Sequence, residues 1–278
     1  MAVLVEVAPS HVCPRGAADT SLWVNGVRVD PLAPEELADW VASSLRCGQS
    51  HVVHFLPAHP IVVADQDEGY RKVLNRGNLN LVDGAAVAVA ARLKGRRSPR
   101  TTGSDALALL SAWGVPSNVG HFLYGSTPEV VEKLRDRLEL DNPGISVVGT
   151  ESPPFREIED DELEEAAIRI REAGTDLLWI GMGTPKQDLV AERLRELGAA
   201  PVILCVGAAF DFLAGTKRRA PRWMRAIGME WVFRLVTEPS RLWRRYLIGN
   251  VLFITAVMRD HGGTPRRRVA PAPDPGSP

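Results

Sequence analysis

The chain of 278 residues is 45% hydrophobic and 24% charged, so it can bury a sizeable core, and a disordered or fibrous protein is excluded. Its 33 Lys and Arg nearly balance its 34 Asp and Glu, which disfavours a globally basic nucleic-acid-binding protein. The charge is unevenly distributed, because residues 215–278 contain 13 Arg and Lys against 4 Asp and Glu.

The N-terminal segment, residues 1–21, is interrupted by Pro and Gly and lacks the basic start and long apolar run of a signal peptide. We expect it to be mobile and the protein to be cytoplasmic. The cysteines, Cys13, Cys47 and Cys205, are scattered. They predict neither a disulfide framework nor a zinc or iron–sulfur site, and cysteines without partners favour the reducing cytoplasm.

From residue 22 to residue 214, short apolar runs alternate with longer segments of helical spacing. The apolar runs predict buried strands at 51–56, 79–82, 119–124, 145–148, 177–180 and 202–206. Helical spacing covers 34–46, 129–138, 161–173 and 186–197. The alternation predicts an α/β core of the Rossmann-like class, with a mostly parallel sheet and helices on both faces.

Residues 215–261 have a different character, basic and amphipathic, and predict a helical appendage to the core. Pro239 divides this appendage into two predicted helices. Residues 262–278 are rich in Pro and Arg and predict a disordered tail, because they cannot bury apolar surface.

The second predicted helix of the appendage carries Arg241, Arg244 and Arg245 on one face. Trp, Tyr and aliphatic residues are interleaved with these arginines, a pattern typical of a phospholipid interface. The longest apolar run, 246–258, is shorter than the about 20 residues that span a bilayer. Membrane contact is therefore predicted to be peripheral.

The segment WIGMGTPKQD, residues 179–188, follows a predicted strand and opens a predicted helix. Gly181 and Gly183 permit a tight turn, and amides at the helix start can bind a phosphate or a polar sugar group. The third glycine of a dinucleotide fingerprint and the GK[ST] of a P-loop are both missing. An ordinary strand-to-helix turn is the alternative.

Asp83 ends a predicted strand just before an Ala-rich helix, where α/β proteins bind ligands. Its carboxylate can act as a general base, or it can simply cap the helix. Farther along, Arg96, Arg97 and Arg100 precede Thr-Thr-Gly-Ser-Asp. A guanidinium beside these hydroxyls can bind phosphate, although such arginines are more often solvated.

Metal ligation has little support in the sequence. His51, His54 and His59 lack the HExxH spacing. Asp65 and Asp67 form a DxD pattern, which some nucleotide-sugar enzymes use for a divalent cation, but they lie within a predicted surface helix. We therefore predict no metal and no cofactor.

Six segments follow one another over roughly residues 51–253: LVDGAAVAVAARLKG, RTTGSD, FLYGSTPEVVEKL, LLWIGMGTPKQD, VGAAFDFLAGTKRRAPRWMRAIGMEWVFRL and EPSRLWRRYLIGN. Together, and in this order, they resemble the WecG/TagA/CpsF family of bacterial glycosyltransferases. The combination is far more specific than any single motif.

The resemblance implies transfer of a sugar from a UDP-sugar, typically UDP-N-acetylmannosamine, to an undecaprenyl-diphosphate-linked sugar. The implied reaction inverts the anomeric centre, needs no metal, and serves the synthesis of cell-surface polysaccharide or teichoic-acid-like glycan. The enzyme would associate peripherally with the inner face of the cell membrane through its C-terminal helices. Self-association into a homo-oligomer is left open.

The resemblance also implies roles for single residues. Asp83 matches the general base that deprotonates the acceptor hydroxyl, and Arg100 and Gln187 match polar active-site residues. The predicted substrate-binding residues are His54, Gly125, Gly181, Gly183, Asp211, Arg234, Arg241 and Arg244. The chemistry agrees, because a hydroxyl nucleophile needs a base and a departing diphosphate needs positive charge.

Three positions depart from the family pattern. His54 stands where the family usually has Thr, Leu56 where it has Asn, and Asp188 where it has the longer Glu. The donor sugar is therefore open among N-acetylmannosamine, glucose, glucuronic acid and another N-acetylhexosamine. His54 itself is either a polar pocket residue or a buried structural histidine.

Three other functions compete with the transferase. A degenerate family member could bind nucleotide or lipid without turnover, although retention of Asp83 and Gln187 argues against this. A nicotinamide-dependent oxidoreductase is disfavoured by the missing third glycine. The basic C-terminus could also bind nucleic acid. Anionic lipid explains it more simply, because Trp and Tyr are interleaved with the arginines.

Overall fold

The computed structural model describes Cys13 and residues 21–96, 98–243 and 247–261. Most of the segment predicted to be mobile, and all of the tail predicted over 262–278, lie outside this part of the chain. The described residues form an α/β structure with one two-stranded and one six-stranded sheet.

The strands confirm the predicted fold class. In chain order they are β1 (Leu22–Val24), β2 (Val27–Val29), β3 (His51–Leu56), β4 (Leu79–Val82), β5 (Gly120–Gly125), β6 (Ser146–Glu151), β7 (Leu177–Gly181) and β8 (Val202–Cys205). β1 and β2 form an antiparallel hairpin. The large sheet has the order β4-β3-β8-β7-β5-β6, and every neighbouring pair is parallel. All six predicted strands are present, although the one predicted over 145–148 extends farther.

The helices of the core include the four that the sequence predicted. They are α1 (Pro34–Leu45), α2 (Ala58–Gln66), α3 (Glu68–Arg76), α4 (Ala85–Leu93), α5 (Gly103–Gly114), α6 (Pro128–Asp141), α7 (Asp160–Glu172), α8 (Lys186–Glu196) and α9 (Ala209–Leu213). Pro128 occupies the first turn of α6, and Thr127 caps that helix by accepting from the Val130 amide, so local sequence explains where α6 starts.

The appendage differs from the two helices predicted for it. Its described residues form α10 (Arg222–Ala226), α11 (Glu230–Thr237), α12 (Pro239–Trp243) and α13 (Gly249–His261). Pro239 does break the helical pattern, as predicted. The additional break between α10 and α11 contains Gly228, whose φ of +77° turns the chain in a conformation that favours glycine.

Both faces of the large sheet are buried, which explains why its strands are continuous apolar runs rather than alternating ones. Trp179 and Leu204 pack on the face covered by α1, α5, α6 and α9. The intervening residues Ile180 and Ile203 pack on the opposite face, against α7 and α8. Side-chain direction alternates along each strand, so neighbouring residues face different layers.

Cys13 and Cys47 form a disulfide, with their Cα atoms 5.1 Å apart. The prediction that the scattered cysteines would not pair is therefore wrong for these two. Their separation of 34 residues does not reveal that Cys13 lies beside the end of α1, where Cys47 follows. The prediction of a cytoplasmic location loses the support that it drew from unpaired cysteines.

Candidate active site

A cleft of about 610 Å³ lies along the carboxyl edge of the large sheet. The segments that follow each of the six strands contribute to its lining, and so do parts of α11 and α13. A crevice outside the carboxyl ends of parallel strands is where open α/β sheets bind ligands. This cleft is therefore the candidate active site.

Asp83 lines the cleft directly after β4. Its amide donates to the Leu56 carbonyl at 3.2 Å, which ties the residue to the end of β3. The residue that caps α4 is Gly84, without a side-chain hydrogen bond. The alternative that Asp83 serves as the helix cap is therefore wrong, and its carboxyl group is available to the cleft.

The electrostatic surroundings make Asp83 a stronger base than an ordinary aspartate. Burial of the carboxyl and the nearby charge of Glu230 raise the pKa of Asp83 to about 6, against the opposing effect of Arg100, Arg234 and Arg219. An ordinary Asp has a pKa near 4. The group can therefore both accept a proton at pH 7 and hold it.

Arg100 lines the cleft, but its hydrogen bonds go to backbone carbonyls. Its Nε donates to the Asp83 carbonyl at 3.0 Å, and its Nη1 donates to the Arg225 carbonyl at 2.9 Å. One guanidinium thus connects the segment that carries Asp83 to α10 of the appendage.

The appendage makes further contacts with the core beside the cleft. Arg219 Nη1 lies 2.9 Å from the Asp105 carboxylate, and Arg219 Nη2 donates to Thr102 Oγ1 at 3.2 Å. A Cβ atom at Gly228 would lie only 2.6 Å from the Ala85 Cβ. The turn between α10 and α11 is therefore packed tightly against the start of α4.

Positive charge is concentrated where the appendage meets the core. The Nε atoms of Arg219, Arg225 and Arg234 are buried and have no hydrogen-bond partner among the described residues. Arg219 and Arg234 line the cleft, and the Arg234 guanidinium lies 5.4 Å from the centre of the Phe212 ring. These cations suit a phosphate-bearing ligand.

Arg219 and the nearby Lys217 were not among the predicted site residues, yet both line the cleft. The signal was present in the run Lys-Arg-Arg-Ala-Pro, but it did not reveal which of its cations faces the site. Lys217 is paired with the predicted residue Asp211 at 3.1 Å. Asp211 itself lines the cleft, as predicted.

Gln187 also lines the cleft, but its amide binds backbone. Its Oε1 accepts from the Gly183 amide at 3.1 Å, and its Nε2 donates to the Cys205 carbonyl at 3.4 Å. These bonds hold the glycine-rich turn after β7 against the end of β8. Gly181 and Gly183 line the cleft as well, and a Cβ at Gly181 would meet the Phe210 ring at 2.4 Å.

His54 is buried and is not part of the cleft lining. Its Nδ1 lies 2.8 Å from the Asp188 carboxylate, which also accepts from the Tyr70 hydroxyl at 2.7 Å. The prediction that His54 binds substrate is corrected in favour of the structural alternative. The reason is strand alternation, because His54 faces α8 whereas Phe55 faces the cleft.

Gly125 does not line the cleft either. Its φ is +127°, and a Cβ atom there would lie 2.8 Å from the Gly181 backbone. The glycine permits close approach of β5 and β7, so the structure gives it a packing role. The neighbouring Ser126 takes its place in the lining.

Two predicted arginines cannot be placed in the site. Arg241 belongs to α12, but its side chain lies outside the described part of the structure, and Arg244 lies wholly outside the described residues.

The candidate metal ligands have other partners. Asp67 divides the predicted surface helix into α2 and α3 and caps α3 by accepting from the Tyr70 amide, and Asp65 pairs with Arg259 of α13 at 3.3 Å. His54, Asp188 and Cys205 place their donor atoms within 4.8 Å of one another. The carboxylate of that group accepts hydrogen bonds from His54 and from the Tyr70 hydroxyl.

Comparison with known proteins agrees with this geometry. Residues 22–267 match the model of the glycosyl transferase WecG/TagA/CpsF family. An N-acetylglucosaminyldiphosphoundecaprenol N-acetyl-beta-D-mannosaminyltransferase of Bacillus spizizenii is 28% identical over 70% of this chain and 74% of its own length. The protein of the same name from Bacillus subtilis is 30% identical over 66% of this chain and 70% of its own length.

The contact at Gly228 predicts how the appendage can be detached. Gly228→Ala should undock α10 and α11, because the new methyl group collides with Ala85 and the backbone φ is strained for alanine. Amide hydrogen exchange in α11 should accelerate about tenfold or more. Gly215→Ala is the matched control, since its φ is +72° but nothing lies within 4 Å.

Ala85→Gly in the Gly228→Ala background should restore part of the protection by removing the opposing methyl group. Equal rates of amide exchange in Gly228→Ala and Gly215→Ala would contradict the packing described here.

Proposed function

Since the chain belongs to the glycosyl transferase WecG/TagA/CpsF family, we propose that it moves a sugar from a UDP-sugar to a sugar on undecaprenyl diphosphate. The relatives bear names that specify an N-acetylglucosaminyldiphosphoundecaprenol acceptor and an N-acetylmannosaminyl group. The observation that carries the proposal is Asp83, a partly buried carboxyl group placed in the same cleft as several arginines.

In the proposed reaction Asp83 acts as the general base. Its pKa of about 6 leaves it mostly ionised at pH 7, so it can accept the proton of the attacking acceptor hydroxyl. The new bond joins the acceptor oxygen to the anomeric carbon, and the bond from that carbon to the UDP oxygen breaks. Attack on the side opposite the leaving group inverts the anomeric centre.

Departure of UDP places negative charge on the diphosphate. Arg219 and Arg234 both line the cleft and bring guanidinium groups to it. Cations that are already positioned stabilise such charge without reorganisation. We therefore propose that guanidinium groups supply this charge and that turnover does not require a divalent cation.

The departures from the family pattern bear on the donor sugar. His54 and Leu56 are both buried and neither lines the cleft. Their replacement of Thr and Asn thus leaves no side chain of altered chemistry in the cleft lining. This supports N-acetylmannosamine as the donor sugar, with glucose, glucuronic acid and another N-acetylhexosamine as the alternatives to be tested.

We further propose that the protein binds the inner face of the cell membrane through the appendage. One side of α13 packs against α2 through Phe253 and Val257. The opposite side exposes three aliphatic or thioether side chains, Val251, Ile254 and Met258, and Leu247 is exposed just before the helix begins. Among the described residues, no helix is both long and apolar enough to cross a bilayer.

The reaction can be tested by acceptor-dependent release of UDP from a panel of UDP-sugars, with EDTA present and a short polyprenyl-diphosphate-linked sugar as acceptor. Asp83→Asn should reduce release by about 100-fold or more, because the variant lacks the base. Asp39→Asn, outside the cleft, is the control. Absence of release with every donor, from folded native protein that binds UDP, would favour the degenerate binding alternative.

The raised pKa of Asp83 predicts the pH dependence. Protonation disables the base, so kcat/KM should fall tenfold for each pH unit below about 6. Glu230→Gln removes a charge that raises this pKa and should shift the inflection to lower pH, whereas Glu35→Gln, at an exposed position of α1, should not. A rate profile that is flat from pH 5 to pH 7 would exclude Asp83 as the base.

Membrane binding can be tested by co-sedimentation with vesicles that contain anionic phospholipid. Replacing both Val251 and Ile254 by Ser should weaken binding about tenfold or more, because two apolar side chains no longer enter the interface. The control replaces the exposed apolar residues Leu140 and Ile168 in the same way. Equal binding of both double variants would contradict the proposed docking surface.

A further inference from the structure

Phe155 is the most exposed large apolar residue among those described, with 84% of its surface accessible. It follows β6 and nevertheless lines the cleft. An aromatic ring that remains in water forgoes the stabilisation that burial would give it. Such a ring at the wall of a ligand cleft calls for a partner.

The backbone around Phe155 is firmly held although its ring is not packed. The Lys186 ammonium donates to the Pro154 carbonyl at 3.1 Å and also to the Arg156 carbonyl. These two carbonyls flank Phe155, so one cation at the start of α8 fixes both sides of the residue. Pro153 and Pro154 restrict the preceding backbone further.

Arg156 adds a second attachment. Its two terminal nitrogens donate to the two carboxylate oxygens of Glu162 at 2.7 and 2.6 Å. Exposed ion pairs contribute little to stability, but this bidentate geometry fixes the orientation of the Arg156 side chain. The segment therefore presents a pre-oriented ring to the cleft, which reduces the entropy lost when a ligand binds.

The position of the ring identifies the part of the ligand that it would meet. Phe155 follows β6 and Asp83 follows β4, and these strands form opposite edges of the large sheet. The glycine-rich turn after β7 lies between them. A sugar nucleotide whose reacting carbon is at Asp83 and whose diphosphate meets Arg219 and Arg234 would extend its base past this turn towards Phe155.

The acceptor is a poorer candidate for this end of the cleft. The apolar surface proposed to meet the membrane is on α13, and residues of α13 line the cleft together with Asp83 and Ala85. A lipid-linked acceptor would therefore approach from the β4 side. The β6 side is left for the donor.

We propose that Phe155 is the platform on which the nucleobase of the donor stacks. This inference rests on the proposed function, because it takes the donor to be a UDP-sugar. Ser126 lines the same part of the cleft with a φ of +57°, a strained conformation for a residue other than glycine and one that is common at ligand sites. Its hydroxyl can form hydrogen bonds with the polar groups of the nucleoside.

The test measures binding of UDP, UMP and inorganic diphosphate to the full chain by calorimetry. Phe155→Ala should weaken the binding of UDP and UMP by about 5- to 150-fold, the range for loss of one base–aromatic stack. It should leave diphosphate unchanged, because diphosphate has no base. Phe155→Trp should retain UDP affinity within about twofold, since an indole also stacks.

The control is Trp23→Ala, which removes another exposed aromatic side chain away from the cleft and should alter none of the three affinities. If Phe155→Ala weakened the binding of diphosphate as much as that of UDP, the inference would be overturned, because the residue would then only support the phosphate site. Unchanged UDP affinity in Phe155→Ala would overturn it while leaving the proposed donor class intact. Failure of the native protein to bind UDP would overturn both.

Discussion

The active site depends on the parallel direction of the six strands in the large sheet. Parallel strands end at one edge, so residues far apart in sequence, such as Asp83, Gly183 and Phe155, line one cleft. Antiparallel pairing of any one strand would move its loop to the opposite edge. The helices on both faces make this arrangement possible, because they cover apolar strands that could not otherwise be stable in water.

The second requirement is a balance of charge at the junction between core and appendage. Arg100, Arg219 and Arg234 lower the pKa of Asp83, whereas burial and Glu230 raise it. A carboxyl group surrounded only by cations would be too weak a base. The appendage supplies charge of both signs through Glu230 and Arg234 of α11, so its docking affects the pKa of Asp83. Arg100 bonds the backbone on both sides of this junction.

Two residues that the sequence predicted for the site have structural contacts in this chain. Gln187 binds the backbone of two loops, and His54 forms a buried group with Asp188 and Tyr70. His54 and Asp188, two positions where we expected a departure from the family pattern, are in direct contact. Both side chains belong to the buried core and neither lines the cleft.

Local patterns in the sequence determined the strands, the bounds of four core helices to within a few residues, the position of Asp83 at a strand end and the basic character of the appendage. Periodicity, caps and prolines act over a few residues and can be recognised without tertiary contacts. Only the packed structure decided which residues of a strand reach the cleft. Phe55 lines the cleft, whereas its neighbour His54 is buried against α8. The same holds for the carbonyls bound by Arg100, the pairing of Cys13 with Cys47, and the exposed ring of Phe155. These features depend on contacts between segments distant in sequence, whose geometry is set by the packing of whole layers.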